Sequence, residues 1–224
     1  DGTEYLPLAT SQDHKTIGDG DVGLNTGGMG AYSPVPFVNN ELDTKIKKKV
    51  IEPSVRGLSK DGISFRGFLY AGLMIDSNMN PKVLEYNCRF GDPETQPIML
   101  RLKSDLIDMI QTCFSGCISD YNVEWDHKSA MGVVISSDGY PESYETGKEI
   151  IGLGTLSNRN DVKVFHSGTR SENDTILTNG GRVLCVTALG DDLNQSNENA
   201  YRAVDQIDWD GKYFRKDIGF RVMK

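Results

Sequence analysis

The sequence predicts an α+β fold in two parts, about 1–124 and 125–224, and three observations carry that reading. Residues 83–90 alternate, with Leu84, Tyr86, Cys88 and Phe90 on one side and Glu85, Asn87 and Arg89 on the other, as on a strand with one wet face. Residues 93–115 repeat Met99, Leu102, Leu106, Met109, Ile110 and Cys113 at three- and four-residue intervals, which predicts a helix. Beyond about residue 125 the pattern changes to short apolar runs parted by turn residues, which predicts a mostly β second part.

In chain order, Asp1-Gly2 reads as a hairpin turn and residues 5–9 as a short strand, so an upstream partner strand is expected. Residues 11–34 are polar and glycine-rich, with Asp13-His14-Lys15 followed by Thr26-Gly27-Gly28-Met29-Gly30. Glycines let backbone N–H groups approach an anion, so this is either a phosphate- or carboxylate-binding loop or a flexible surface loop. It matches neither a Walker A pattern nor a dinucleotide fingerprint. His14 is either a general base or a hydrogen-bonded structural residue. Residues 40–60 predict a helix capped by Asn40 and kinked or ended by Pro53, with Lys47-Lys48-Lys49 on its solvated face. Residues 65–75 and 82–89 predict an antiparallel pair joined by a turn at 78–81. The helix after them starts with Asp92 as N-cap and Pro93 at the first helical position, and Gly116 ends it. In the second part, strands are expected at 130–136, 162–166, 176–178, 182–189 and 213–215, with one helix at 192–207.

Composition narrows the function classes. The 224 residues are 38% hydrophobic and 25% charged, as in an ordinary globular protein. A net charge of −8 argues against a nucleic-acid footprint, which needs clustered basic residues. It does not exclude phosphates, because a cation brings an anionic nucleotide to acidic side chains. No run approaches the roughly 18–20 apolar residues of a membrane span, and DGTEYLPLA has no secretory pattern. Cys88, Cys113, Cys117 and Cys185 show no metal-like pairing and read as free core thiols of a cytoplasmic protein.

The row at Glu85, Asn87 and Arg89 holds the most chemistry. Alternate residues on a strand face stand about 7 Å apart. Mg²⁺ takes oxygen ligands and is commonly held by one or two protein groups plus substrate phosphates. Glu85 and Asn87 supply such a pair, and Arg89 adds a planar, permanently charged donor for a phosphoryl oxygen. The alternative is an ordinary wet strand face.

The stretch Arg89-Phe90-Gly91-Asp92-Pro93-Glu94-Thr95-Gln96 resembles the signature of the glycinamide ribonucleotide synthetases, members of the ATP-grasp superfamily. The resemblance extends through SQDHK at 11–15, NTGGMGAYSP at 25–34, FLYAGLMI at 68–75, TNGGRVLCVTALG at 178–190 and RKDIG at 215–219, nearly the whole chain. It implies a C-terminal ATP-grasp subdomain, an antiparallel sheet with helices, over 1–124, then a small barrel-like C-terminal domain. It also implies ATP-dependent ligation of glycine to 5-phosphoribosylamine through glycyl phosphate, in the cytoplasm, by a monomer. The adenine-gripping part would precede Asp1. Glu85 and Asn87 would hold Mg²⁺ or Mn²⁺, with Lys15 beside them on the nucleotide, and Arg89 would be catalytic. Asp13, Lys15, Thr26, Gly27, Gly28, Met29, Gly30, Arg89 and Asp92 would bind substrate. The 70–74 stretch lacks the additional metal-ligating acid that many ATP-grasp enzymes carry there. Another ATP-grasp carboxylate–amine ligase, or a non-catalytic metabolite-binding module, is the alternative.

Overall fold

The structure, a computed structural model, describes residues 1–223. Its strands, in order, are β1 (Gln12–Asp13), β2 (Thr16–Gly18), β3 (Val22–Asn25), β4 (Gly30–Ser33), β5 (Tyr70–Ile75), β6 (Pro81–Asn87), β7 (Ser129–Ser137), β8 (Val162–His166), β9 (Thr169–Glu172), β10 (Thr175–Thr178), β11 (Arg182–Gly190) and β12 (Lys212–Tyr213). The helices are α1 (Asn40–Ile46), α2 (Glu52–Lys60), α3 (Thr95–Arg101), α4 (Leu106–Ser115) and α5 (Leu193–Val204). The α+β class agrees with the sequence. The chain divides into two compact units interleaved along it: Asp1–Thr10, Val35–Gly91 and Leu102–Trp125 form one, and Ser11–Pro34, Asp92–Arg101 and Asp126–Lys224 the other.

In the first unit, residues 5–9 form no strand among the described residues, and Pro7 has no N–H to give a ladder. Asn39, one residue before the expected cap, accepts from the Leu42 N–H at 2.9 Å and starts α1. Pro53 neither ends nor splits the helical run. The turn before it, Lys47–Ile51, widens to a π-helix, so the ring meets no standard helical carbonyl. The β5–β6 hairpin is antiparallel but shorter than expected. Its turn is closed by Asp76, whose Oδ1 accepts from the Asn78 and Asn80 N–H groups at 2.9 Å. β6 ends at Asn87, so Cys88 and Arg89 lie in a bend beyond it. The expected long helix over 93–115 is two helices. Lys103 N–H donates to the Glu124 carbonyl at 3.0 Å, which pulls the chain out of helical hydrogen bonding. Asp105 then caps α4, accepting from Ile107 and Asp108 N–H groups at 2.7 and 3.1 Å. Cys117 falls beyond the Gly116 cap, and Cys88 and Cys117 are exposed; only Cys185 of the four is a core thiol.

The second unit is built on an open antiparallel sheet in the order β1-β4-β7-β11-β8, with β12 also on β7. The resemblance implies a barrel-like domain confined to the part after about residue 125; the sheet seen here is open, and β1 and β4 come from residues 12–33. Pro97 of α3 lies over Gly132, while Asn197 of α5 reaches the Met131 sulfur at 3.1 Å. Neighbouring residues of a strand face opposite ways, so α3 and α5 cover opposite faces. Residues 11–34, expected as a loop, contain four strands, and β4 is buried throughout. Short glycine-bearing strands carry too little alternation to read from sequence. α5 begins where expected, Asp192 accepting from the Gln195 N–H at 2.8 Å.

One buried charge ties this unit together. Arg215 is fully buried and makes a two-pronged pair with Asp217 at 2.8 Å through both Nε and Nη2. Its Nη1 donates to Asp21 Oδ1 at 3.1 Å and Thr16 Oγ1 at 3.0 Å, and Arg221 also pairs with Asp21. These partners hold the Asp21 and Asp217 carboxyls below the ordinary value near 3.8, against the opposing effect of burial. A depressed folded pKa contributes stability that is present above the unfolded value and lost as pH falls through the folded one. Stability should therefore fall below about pH 4. Arg215→Met should cost about 3–5 kcal/mol in urea titrations at pH 7, because it removes the buried cation that two half-buried carboxylates are paired with, and should flatten that acid limb. A loss below about 1 kcal/mol would reject the network's role.

Candidate functional site

In the first unit the candidate metal pair sits on β6. The register sets Glu85 opposite Gly72 and Asn87 opposite Tyr70, with no slip between them, so both side chains share one face. The register shifts only before Glu85, at Leu84, whose side chain is turned to solvent. Glu85 is exposed and Asn87 half-buried, and neither is turned into the interior. Tyr86, pointing the other way, shares a hydrogen bond with Ser54 at 2.6 Å. A Cβ at Gly72 would lie 3.0 Å from Glu85 Cγ and 3.4 Å from the Tyr70 ring. Gly72 thus leaves the carboxylate room to lie over the strand.

No cluster of three His, Cys, Asp or Glu side chains suited to a metal occurs among the described residues. A carboxylate and an amide on one exposed face fit the other arrangement open to Mg²⁺, in which substrate phosphates and water complete the coordination. Arg89 is exposed in the bend after β6, and its Nη1 donates to the Phe90 carbonyl at 2.8 Å. Tethered to its own backbone, it is not a third member of the strand row. A cavity of about 370 Å³ in this unit, lined by Tyr5, Lys47, Glu52 and Arg56 among others, contains none of the expected site residues.

The second unit holds the remaining candidates. Asp13, on β1, pairs with Lys15 at 2.7 Å. His14 between them is fully buried, and its Nε2 accepts from the Gly219 N–H at 3.1 Å. Burial, reinforced by Arg215 and Arg221, pushes its pKa down to about 4, so the ring is neutral with its proton on Nδ1. That is the structural reading of His14, not the general-base one.

The glycine loop differs from an open anion cradle. Thr26 N–H donates to the Lys15 carbonyl at 2.7 Å, Gly27 N–H to the Tyr140 hydroxyl at 3.0 Å, Gly28 N–H to Thr26 Oγ1 at 2.9 Å and Met29 N–H to the His14 carbonyl at 2.8 Å. Gly28, Met29 and Gly30 are buried. The expectation that these N–H groups receive an anion is corrected: each already has a partner inside the fold. Gly28 has φ +116°, and a Cβ there would come 2.4 Å from Pro93 Cδ.

Asp92 is exposed but is not a helix cap. α3 starts only at Thr95, and the Asp92 carboxylate receives Gln96 Nε2 at 3.0 Å and Arg182 Nη2 at 3.5 Å. Sequence reasoning assigned no role to Arg182, Tyr140 or Gln96. The Gly180-Gly181 pair before Arg182 was a usable signal: a Cβ at Gly181 would collide with the Tyr140 ring at 2.2 Å.

Residues 1–95 match the family model described as phosphoribosylglycinamide synthetase, ATP-grasp (A) domain, and residues 130–221 the one described as phosphoribosylglycinamide synthetase, C domain. The chain is 52% identical over 223 residues to a phosphoribosylamine–glycine ligase of Vibrio cholerae, covering all of this chain and 52% of that protein. It is 53% identical over 225 residues to the one of Salmonella typhimurium, again 52% of that protein. A crystal structure of the Thermotoga maritima phosphoribosylamine–glycine ligase superposes with TM-score 0.85 at 33% identity, over 97% of this chain and 53% of that one. The chain thus spans about half the length of the relatives it matches.

Two measurements follow from the site. Nitrogen NMR at pH 5.5 should show His14 still neutral and protonated on Nδ1; a charged ring there would overturn its buried assignment. Because its folded pKa lies below the unfolded 6.5, His14 lowers stability as pH falls from about 6.5 toward 4, and His14→Gln should remove that slope from the denaturation curve.

Proposed function

The chain belongs to the phosphoribosylglycinamide synthetase family, and on that premise we propose that it is the C-terminal half of a ligase joining glycine to 5-phosphoribosylamine at the expense of ATP. The glycine carboxylate attacks the γ-phosphorus of ATP, giving glycyl phosphate and ADP. The amine of 5-phosphoribosylamine then attacks the acyl carbon, phosphate leaves with the C–O bonding pair, and the amine gives up a proton. Such chemistry depends on positioning and charge neutralisation more than on covalent help from the protein.

The observation that carries the reading is the shared exposed face of Glu85 and Asn87 over Gly72. These two residues would hold a divalent cation, magnesium or manganese. When bound, the cation offsets charge on the nucleotide phosphates. Arg89 would leave the Phe90 carbonyl to hold acyl-phosphate oxygens, and the exposed Lys15 would meet nucleotide or substrate phosphate. Asp13 and Asp92 would accept from amine groups of the substrates. Thr26, Gly27, Gly28, Met29 and Gly30 would form the wall behind them, the N–H groups of the first four being engaged. We further assign 1–124 to the ATP-grasp part and 125–224 to the C domain, and the enzyme to the cytoplasm as a monomer. Among the described residues no helix is long and apolar enough to cross a membrane.

The test uses the full-length protein with ATP, glycine and phosphoribosylamine, following phosphate release with each omitted in turn. Release should require glycine; release indifferent to glycine would reject the ligase. Glu85→Ala should cut turnover by at least about 100-fold, the loss typical even for outer supports of a metal ligand, with an unchanged melting curve. Arg89→Ala should lower kcat by about 100- to 1000-fold, the usual effect of deleting one preorganised donor.

A further inference from the structure

We propose that Arg182 is a positioning residue that fixes the glycine loop and the Asp92 turn as one piece and aims the Asp92 carboxylate at an amine. The proposal rests on the functional reading only for what Asp92 binds; the clamp itself stands on geometry.

Arg182 opens β11, where the register with β7 slips between Arg182 and Leu184. A slip of this kind breaks the strand's alternation and re-aims a side chain. Here it sends the guanidinium to four acceptors. Nη1 donates to the carbonyls of Gly27 at 3.0 Å, Gly28 at 3.4 Å and Asp92 at 2.8 Å, and Nη2 meets Asp92 Oδ2 at 3.5 Å. The fit depends on the partner being glycine, for a Cβ at Gly27 would lie 2.8 Å from Arg182 Cζ. One nitrogen, Nη1, meets the carbonyls of both turns while the second, Nη2, reaches the Asp92 carboxylate, and an ammonium group has no second nitrogen held at a fixed angle to the first.

The effect falls on Asp92. Gln96 Nε2 donates to Oδ1 and Arg182 Nη2 approaches Oδ2, so each carboxylate oxygen has one protein partner. A carboxylate offers about four acceptor positions, so the oxygens retain positions for a ligand. The Asp92 side chain is 47% exposed, against 23% for Arg182. The guanidinium is therefore the inner support and the carboxylate the outer face. Held at both oxygens, that face suits an N–H donor, and the chemical class is an amine. A guanidinium kept off the substrate by the residue it orients is a positioning group, not a catalytic one.

The experiment uses full-length Arg182→Gln, Arg182→Lys, Asp92→Asn and the double variant Arg182→Gln/Asp92→Asn. The first readout needs no activity: amide hydrogen exchange at residues 26–29 should quicken about tenfold or more in Arg182→Gln, and unchanged protection would overturn the clamp. The second is the kinetic split. Arg182→Gln should raise KM for phosphoribosylamine by about 10- to 100-fold, while KM for ATP moves less than about twofold. Arg182→Lys should recover only part of that loss. The double variant should be no worse than Asp92→Asn alone, since one residue acts through the other. A uniform fall in kcat with all KM values unchanged, or an additive double variant, would overturn the positioning role. If Arg182→Gln does not fold, Arg182→Lys decides on both readouts. If the wild-type protein shows no glycine-dependent turnover, the functional reading falls and exchange alone judges the clamp.

Discussion

β7 is paired along both edges, and the second unit depends on that constraint. One edge carries β11 from Ser129 to Ser136, and the other carries β4 at 130–133 and β12 at 136–137. A strand with two partners cannot slip by one residue without breaking both ladders, and because both faces of β7 are buried a slip would also exchange its two packed side-chain sets. Met131, Val133 and Ile135 are fully buried, as are Val183, Leu184 and Val186 across the ladder. Registers so fixed bring together segments far apart in the chain. The glycine loop enters the sheet at Gly30, opposite Val133, and Arg182 leaves it opposite Ser136. What the unit presents at its surface is thus set by packing beneath it.

How much of this was legible depended on the physical signal each element left. β7 and β11 were readable to within one residue because buried strands are nearly continuous apolar runs, and β8 at its observed bounds from the alternation of Val162 and Val164 with Lys163. α5 was announced by Asp192 and its periodic apolar residues. β1 to β4 were not legible, since two- to four-residue strands lack room for alternation and their existence rests on partners distant in sequence. The break between α3 and α4 was hidden for a related reason. Residues 102–105 keep helical apolar spacing, and what unwinds them is a carbonyl at Glu124. Ser104-Asp105 was the local hint, a cap inside an apparently continuous helix.

The buried polar groups divide by whether they are satisfied. Arg215 is tolerable in the core because Asp217, Asp21 and Thr16 between them take its donors. His14 reduces the same cost by staying neutral, its Nε2 accepting from the Gly219 N–H next to two arginines, while its buried Nδ1 has no partner among the described residues. Both residues lie in stretches that carry the family resemblance, SQDHK and RKDIG, and in both the charge or ring is turned to folding. Lys15 and Asp92, by contrast, keep their charges at the surface.

The same accounting separates the parts of the candidate site that sequence could read from those it could not. Glu85 and Asn87 were readable because strand periodicity alone puts alternate side chains on one face, and the pairing with Gly72 and Tyr70 adds only that the face is open. The glycine loop was misread because glycine content reports that a backbone is close to something, not what. At Gly27 and Gly28 the neighbours are a guanidinium and a proline of the same fold. A glycine-rich stretch that resembles an anion cradle can thus be a close-packed internal seam. The distinction lies in whether its N–H groups already have acceptors, and at Thr26, Gly27, Gly28 and Met29 they do. A ligand at this loop therefore meets no free N–H at those four residues, and the exposed Asp92 carboxylate gains its direction from the groups that hold the seam closed.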